Sequence, residues 1–225
     1  MADWASYSLQ DMLLFSDRVY FRQFELANES VWPAQFVLIA AGLFAAFAVW
    51  RGEVRHVRLA ATLLATGVAS SAWIYLHKYY SEINWAAAYM VPLFVGLAVM
   101  LLAAAARPLG VVEVQDIRRM AALLLASVVA GYPLGALLAG RSLIAAEAFG
   151  VAADPTMLAV LTFAAVLQSR WRWALAVVPL VWCVFSILTL HTMGSDQYLL
   201  VLGVALAGLC IMAMRARTGD PCAHS

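Results

Sequence analysis

Charged residues are scarce in this sequence. Asp, Glu, Lys and Arg make up 12% of the 225 residues, whereas 65% are apolar. A soluble domain is roughly a quarter charged and half apolar, so this composition excludes that class and makes the lipid bilayer the expected environment. The formal net charge is only +1, which leaves no surplus of cations to neutralise a row of phosphates. Nucleic acid is therefore excluded as a partner.

Ionisable side chains are also missing from the interior of the apolar segments. This absence excludes a voltage sensor and a chain of carboxylates that carries protons across the membrane. The single lysine, Lys78, stands at the end of an apolar segment and not within the last one, which excludes a retinal Schiff base. Cysteine is equally sparse. Cys183 and Cys210 lie in apolar segments and Cys222 lies near the C-terminus, so we expect no structural disulfide.

Seven charge-free intervals approach the length of about 20 apolar residues that a membrane-spanning helix needs. They are Val31 to Trp50, Leu59 to Leu76, Ile83 to Ala106, Met120 to Gly140, Pro155 to Ser169, Trp173 to Leu190 and Tyr198 to Met214. The fifth interval is the shortest and opens with a proline, which suits the first turn of a helix. The predicted fold class is all-α, an integral membrane bundle of seven transmembrane helices.

The distribution of cations predicts the orientation, because short loops rich in Arg and Lys stay in the cytoplasm. With the N-terminus outside, every cation lies on the cytoplasmic side except Arg18, Arg22, Lys78 and Arg141. The predicted topology is therefore N-out and C-in. Apolar residues recur at helical spacing over residues 8–28 and predict an amphipathic interfacial helix. The predicted divisions are an N-terminal segment 1–30, a transmembrane domain 31–214 and a cytoplasmic tail 215–225.

The first and fifth predicted spans resemble each other. Both open with proline and end in a similar stretch before an arginine, residues 44–51 and 163–170, and the spans that follow each close with a histidine. The pattern predicts two parallel repeats of three helices joined by a seventh, an arrangement known in some transporters.

Histidine and carboxylate side chains collect at the predicted outer ends of the spans. His77, His191 and Asp196 are candidate ligands there for zinc or another transition metal. Neither an H-x-x-x-H nor a C-x-x-C spacing accompanies them. The alternative is that these residues are solvated at the membrane interface and hydrogen-bond at helix ends.

A second polar group lies at the outer boundary, in residues 28–35. Gln35 falls one turn inside the first span, where an amide needs a partner. Helix packing and a polar pocket that opens outward both remain open as explanations. Prolines 92, 133 and 179 interrupt three spans, which suits a gated pathway. The residues predicted to bind a substrate are Asn28, Glu29, Trp32, Gln35, Asn84 and Asp154.

Several motifs run along the chain at residues 28–35, 77 with 83–87, 132–134, 149–151 and 155–156. They resemble those of an uncharacterised bacterial family of polytopic membrane proteins that is classed as a domain of unknown function. The resemblance covers nearly the whole chain. It implies a multi-pass protein of the bacterial cytoplasmic (inner) membrane, and it implies no activity.

A further similarity is to seven-span, zinc-dependent hydrolases of the alkaline ceramidase type, which need a serine, three histidines and an aspartate near one membrane face. Ser71, His77, His191 and Asp196 are present, but the third histidine at that level is missing. Three functions remain open, and a transporter or channel for a small solute or metal ion leads. The others are a metal-dependent hydrolase and a non-catalytic subunit of a larger membrane complex. A homo-oligomer also remains open.

Overall fold

The computed structural model describes residues 15–138, 140–168 and 171–217. The described part is all-α, as predicted, and contains no strand. The helices are α1 (Asp17–Val31), α2 (Ala34–Arg51), α3 (Val54–Ser71), α4 (Trp85–Ala105), α5 (Gln115–Leu138), α6 (Ala153–Val166), α7 (Trp171–Thr192) and α8 (Gln197–Arg217). Helix α3 continues through a π-helix, Ala72–Tyr80, and a last turn, Ser81–Ile83.

Six of the described helices are long and apolar enough to cross a membrane, namely α2, α3 with its extension, α4, α5, α7 and α8. The chain thus has the helices of a multi-pass membrane protein. The fifth predicted span corresponds to α6, which has only 14 residues. At 1.5 Å per residue such a helix is roughly 21 Å long, which is less than the hydrocarbon thickness of about 30 Å.

Helix α6 lies at the centre of the bundle. The six long helices pack around it in the order α2, α3, α4, α7, α8 and α5, and α5 closes the ring against α2. Helix α6 contacts α3, α5, α7 and α8, and all of its residues are buried. Its hydroxyls at Thr156 and Thr162 donate to carbonyls one turn back, as is usual inside apolar helices. The predicted repeat pairs the first span, α2, with the fifth span, α6. These two helices do not occupy equivalent positions, since α2 lies in the ring and α6 inside it.

The bundle has two ends. The α1 end contains α1, the start of α2, the end of α5, the α7–α8 turn and residues 140–152, which we call the 140–152 connection. Asn28 of α1 donates to backbone carbonyls of this connection. The opposite end contains the α2–α3, α4–α5 and α6–α7 connections, and there the amide of Val112 donates to the carbonyl of Val166. Helix α6 therefore starts at one end of the bundle and stops near the other.

Helix α1 belongs to the predicted amphipathic segment and packs on the bundle. Its N-cap is Ser16, and residues 8–14 of the predicted amphipathic helix lie outside the described residues. The ring of Phe24 stacks on that of Tyr75 with 4.8 Å between centroids, and Tyr20 lies 5.7 Å from Tyr80. These contacts join α1 to the π-helix of α3.

Candidate functional site

Polar side chains are buried mostly at the α1 end. The buried polar residues of the described chain are Gln23, Asn28, Gln35, Ser71, Glu147, Asp154, Thr156, Thr162 and Ser186. All of these except Thr162 lie in the half of the bundle towards α1. Burial of a polar group costs free energy unless it is hydrogen-bonded, and polar groups inside a membrane protein are functional candidates. The α1 end is therefore where a site is expected.

A cavity of about 450 Å³ opens between α1, α2, α5 and the 140–152 connection. Three of the predicted substrate residues line it, namely Asn28, Trp32 and Gln35. The rest of the wall is apolar and is formed by Phe36, Ile39, Pro133, Leu143, Ile144, Ala146 and Ala148. Sites for small molecules have volumes of roughly 300–1,000 Å³ and are largely apolar with a few polar groups. This cavity has the size and the composition of such a site.

Two residues that line this cavity, Asn28 and Gln35, each have a buried amide oxygen with no partner among the described residues. Asn28 donates from Nδ2 to the carbonyls of Ile144 and Ala146, at 2.8 Å each. These bonds fix the orientation of the amide and leave Oδ1 with no donor among the described residues. Oε1 of Gln35 likewise has no donor within the described chain. A buried polar atom without a partner costs about 1–3 kcal/mol, so the fold retains both oxygens at the expense of stability.

The other predicted substrate residues lie outside the cavity. Glu29 is exposed on α1. Asn84 caps α4, because its Oδ1 accepts from the amide of Ala86 at 3.1 Å, and its Nδ2 donates to the hydroxyl of Tyr80 at 3.2 Å. The side chain of Asn84 is accounted for by this capping role. Asp154 belongs to a separate buried network.

Asp154 lies in the first turn of α6, where the helix dipole favours a negative charge. Its Oδ1 accepts from Nε1 of Trp182 at 2.7 Å, and its Oδ2 accepts from Oγ of Ser186 at 2.9 Å. Both donors belong to α7, and all three side chains are buried. The ring of Trp182 packs edge-on against Phe94 of α4. The carboxyl of Asp154 therefore fastens the central helix to the surrounding ring.

Glu147 is a buried carboxyl in the 140–152 connection. Its Oε1 accepts from Nε2 of Gln197 in α8 and lies 3.6 Å from Nη1 of Arg141. Its Oε2 has no hydrogen-bond partner among the described residues. Burial and, to a smaller extent, the nearby carboxyl of Asp154 together raise the pKa of Glu147 to about 7. Glu147 is not among the candidate residues predicted from the sequence, although the apolar residues 143–152 around it were a signal of burial.

The predicted metal ligands do not come together. His77 is exposed on α3, with its ring 4.8 Å from that of Trp73. His191 is exposed at the end of α7, 5.0 Å from the ring of Tyr198, and Asp196 is exposed in the following turn. In the part of the chain that the structure describes, no three His, Cys, Asp or Glu side chains are placed to hold a metal ion. Each imidazole packs against an aromatic neighbour, which is Trp73 of the same helix for His77 and Tyr198 of α8 for His191.

Comparison with known proteins places the chain in a family. A family described as "Family of unknown function (DUF6064)" matches residues 17–221. The chain therefore belongs to this family of unknown function, in agreement with the resemblance of its motifs. No curated protein matches the chain, and no solved structure does.

Proposed function

We propose that this protein is a transporter for a small, uncharged solute in the bacterial cytoplasmic membrane, and that the cavity at the α1 end is its binding site on the outer side. The observation that carries the proposal is that two residues of an otherwise apolar cavity lining, Asn28 and Gln35, hold buried amide oxygens, Oδ1 and Oε1, that have no donor among the described residues. A solute with an apolar body and N–H or O–H donors would satisfy both oxygens and cover the wall.

The chemistry of the wall restricts the solute. Amide oxygens accept hydrogen bonds, so the solute has to donate them. None of the described residues that line the cavity is charged, and an ion would lose its hydration there without gaining a counter-charge. The rings of Trp32 and Phe36 lie 5.2 Å apart in an edge-to-face arrangement, which suits contact with a flat or ring-shaped apolar group.

The centre of the bundle favours a carrier over a channel. Helix α6 fills the centre and is buried along its whole length, so a solute has to cross by rearrangement of the helices and not through a fixed axial pore. Pro133 of α5 lines the cavity. A proline inside a helix removes the hydrogen bond to the carbonyl four residues earlier, that of Val129, and weakens the helix at that point. We assign the opening movement to α5 at Pro133.

The proposed topology has seven crossings, with the N-terminus outside. Helix α6 connects the two ends of the bundle despite its length, and the described cations at the α1 end are Arg18, Arg22, Lys78 and Arg141, which leaves the other described cations at the opposite end. A green fluorescent protein fused to the C-terminus is expected to fluoresce. Alkaline phosphatase inserted at Gly194, in the α7–α8 turn, is expected to be active. The reverse pattern would overturn this topology.

The binding site is tested by the small molecules that copurify with the protein. We would purify the wild type, Gln35→Leu and Gln23→Leu in detergent from the same membranes and compare their bound solutes by mass spectrometry. Gln23 and Gln35 are both 7% exposed. Gln23 donates from Nε2 to the carbonyl of Val19 and does not line the cavity between α1 and α2, so Gln23→Leu is the matched control.

A solute enriched on the wild type and on Gln23→Leu, but reduced roughly ten-fold on Gln35→Leu, supports the binding site. A ten-fold loss corresponds to about 1.4 kcal/mol, which is the expected worth of one hydrogen bond in such a site. Uptake of that solute into proteoliposomes then separates a carrier from a non-transporting subunit of a complex. Equal amounts on all three proteins, or no solute on the wild type, would overturn the proposal.

A further inference from the structure

We infer that the α1 end also binds the phosphate of an anionic phospholipid headgroup, in a pocket formed by Arg18, Arg22 and Arg141. This pocket has a volume of about 700 Å³ and lies between α1 and the start of the 140–152 connection. It shares no lining residue with the cavity between α1, α2 and α5 that is proposed to bind the solute. The inference is independent of the proposed transport function, because it concerns a different surface and a different ligand.

Three of the four cations at the α1 end of the described chain line this one pocket. Arg18 and Arg22 are four residues apart on α1 and therefore share a helix face. Arg141 faces them from the other wall because Gly140, with a positive φ of 72°, ends α5 and reverses the chain. Lys78, the fourth cation, lies on α3 and is exposed outside the pocket.

Cations outnumber anions in the pocket. Glu25 also lines it and forms an ion pair with Arg22, and Glu147 lies 3.6 Å from Arg141 on the buried side. Arg18 forms no ion pair in the described part of the chain. A phosphate group would therefore meet one arginine with no competing carboxylate and two arginines whose carboxylate partners neutralise them only in part.

Arg141 is held in place before any ligand arrives. Its Nη2 donates to Oε1 of Gln197 at 3.0 Å, and its guanidinium lies 4.1 Å from the centre of the Phe21 ring. Its Nη1 has no hydrogen-bond partner among the described residues. Nη1 is itself buried and lies 3.6 Å from Oε1 of Glu147. A fixed, planar guanidinium is well suited to phosphate, because fewer rotamers are lost on binding and N–H donors match phosphate oxygens.

The surroundings of the pocket favour a lipid as the source of the phosphate. Leu138 at the end of α5 is 90% exposed, and Leu143 in the following turn is 61% exposed. Val19, which lines the pocket, is also exposed. Acyl chains would cover these apolar side chains, whereas free phosphate would not. Because α5 is long enough to span a membrane, a pocket at its end lies at the level of the headgroups.

The test measures the thermal unfolding midpoint of the full-length protein in detergent after addition of phosphatidylglycerol, phosphatidylcholine or inorganic phosphate at equal concentration. Phosphatidylglycerol is expected to raise the midpoint by about 5 °C, as a ligand in large excess over its dissociation constant does. Phosphatidylcholine and inorganic phosphate are expected to raise it by less than about 1 °C, since the first carries a cation and the second lacks acyl chains.

Variants then locate the effect. Arg18→Gln and Arg22→Gln, which change exposed side chains, are each expected to lower the apparent affinity for phosphatidylglycerol roughly ten-fold. Lys78→Gln, an exposed cation of the same end outside the pocket, is expected to leave it unchanged. Glu25→Gln is expected to raise it, because the ion pair that occupies Arg22 is removed. This last variant keeps the test decisive even where an arginine variant fails to fold.

Four results would overturn the inference. Equal stabilisation by phosphatidylcholine would show a general lipid effect, and equal stabilisation by inorganic phosphate would show an anion site with no lipid. An equal loss in Lys78→Gln would show that the surface charge of the whole end is responsible and not this pocket. An unchanged affinity in Glu25→Gln would show that Arg22, the ion-pair partner of Glu25, does not bind the phosphate.

Discussion

The two ends of the bundle treat polar groups in opposite ways. At the end opposite α1, arginines remain near the surface and bind backbone. Nε of Arg58 donates to the carbonyl of Ala105 at 2.6 Å, and Nε of Arg118 donates to that of Trp50 at 3.2 Å. Both carbonyls lie in the last turn of a helix, where acceptors lack helical partners. Further guanidinium groups lie over tryptophan rings, in the pairs Arg107–Trp171, Arg119–Trp50 and Arg172–Trp173.

At the α1 end, polar side chains go inside. Asp154 and Glu147 are buried carboxyls, and Asn28, Gln35 and Ser71 each have a buried atom with no partner in the described chain. Arginine and tryptophan at a membrane boundary are what any multi-pass protein requires for anchoring. Buried and unpaired polar groups oppose stability. The end opposite α1 therefore carries the residues that anchor a helical bundle in the membrane. The α1 end buries polar groups that lower stability, which indicates that they serve a function other than stability.

The largest expected effect is that of Asp154→Ala. The change leaves the indole of Trp182 and the hydroxyl of Ser186 without their acceptor, at a cost of about 4 kcal/mol. The unfolding midpoint in detergent should fall by roughly 10 °C. The control is Thr162→Val, further along α6, where the hydroxyl donates only to the carbonyl of Leu158; that change should cost less than about 1 kcal/mol. Equal losses of stability in the two variants would contradict the difference described between the two ends of the bundle.

Glu147 should make the stability depend on pH. Its pKa in the folded protein, about 7, lies above the ordinary value of 4.5, so the folded state holds the proton more tightly than the unfolded state does. The stabilisation is complete below about pH 4.5 and is lost as the pH rises through 7. The midpoint should therefore fall between pH 5 and pH 8, by an amount that corresponds to about 3 kcal/mol.

Glu147→Gln should flatten this dependence, because an amide at that position has no proton to lose. Glu53→Gln is the control at the opposite end. The hydrogen bond from Arg51 lowers the pKa of Glu53, so Glu53 is already ionised over this range and its replacement should leave the slope unchanged. If the unfolding midpoint of Glu147→Gln fell with pH as steeply as that of the wild type, another group would be responsible for the pH dependence.

The smallest expected effect is a gain in stability. Gln35→Leu removes a buried oxygen that lacks a donor in the described chain and should raise the midpoint of the solute-free protein by roughly 3 °C, which corresponds to about 1 kcal/mol. Gln23→Leu breaks a hydrogen bond to Val19 and should give no gain. A loss of stability in Gln35→Leu would mean that the amide supports the fold and is not held for a ligand.

The helices could be predicted from the sequence, because each of the seven charge-free intervals overlaps a different helix of the described chain. The central position of α6 could not be predicted from the sequence. A 14-residue apolar helix inside protein and a short span in lipid have the same composition, since lipid and a protein core are equally apolar. Nothing in the periodicity of α6 distinguishes them, because all of its faces are buried.

The grouping of candidate residues was predictable where they are close in the sequence. Asn28, Trp32 and Gln35 lie within eight residues of one another in the sequence and share one cavity. The predicted metal ligands failed to meet because a common depth in the membrane says nothing about position around the ring, and His77 and His191 belong to different helices, α3 and α7. Glu147 required knowledge of the fold, since only the packing of its connection against α8 buries it.

The central position of α6 bears on how the protein is made. A translocon passes segments to lipid according to their free energy of transfer, and a helix of 14 residues that touches no lipid in the finished bundle gains little from such a transfer. Asp154 of α6 accepts hydrogen bonds from α7, and it is synthesised before the residues that donate them, Trp182 and Ser186. The ring around it also remains open until α8, the last of the described helices to be synthesised, packs between α7 and α5. The central helix is therefore made before the ring that encloses it is complete.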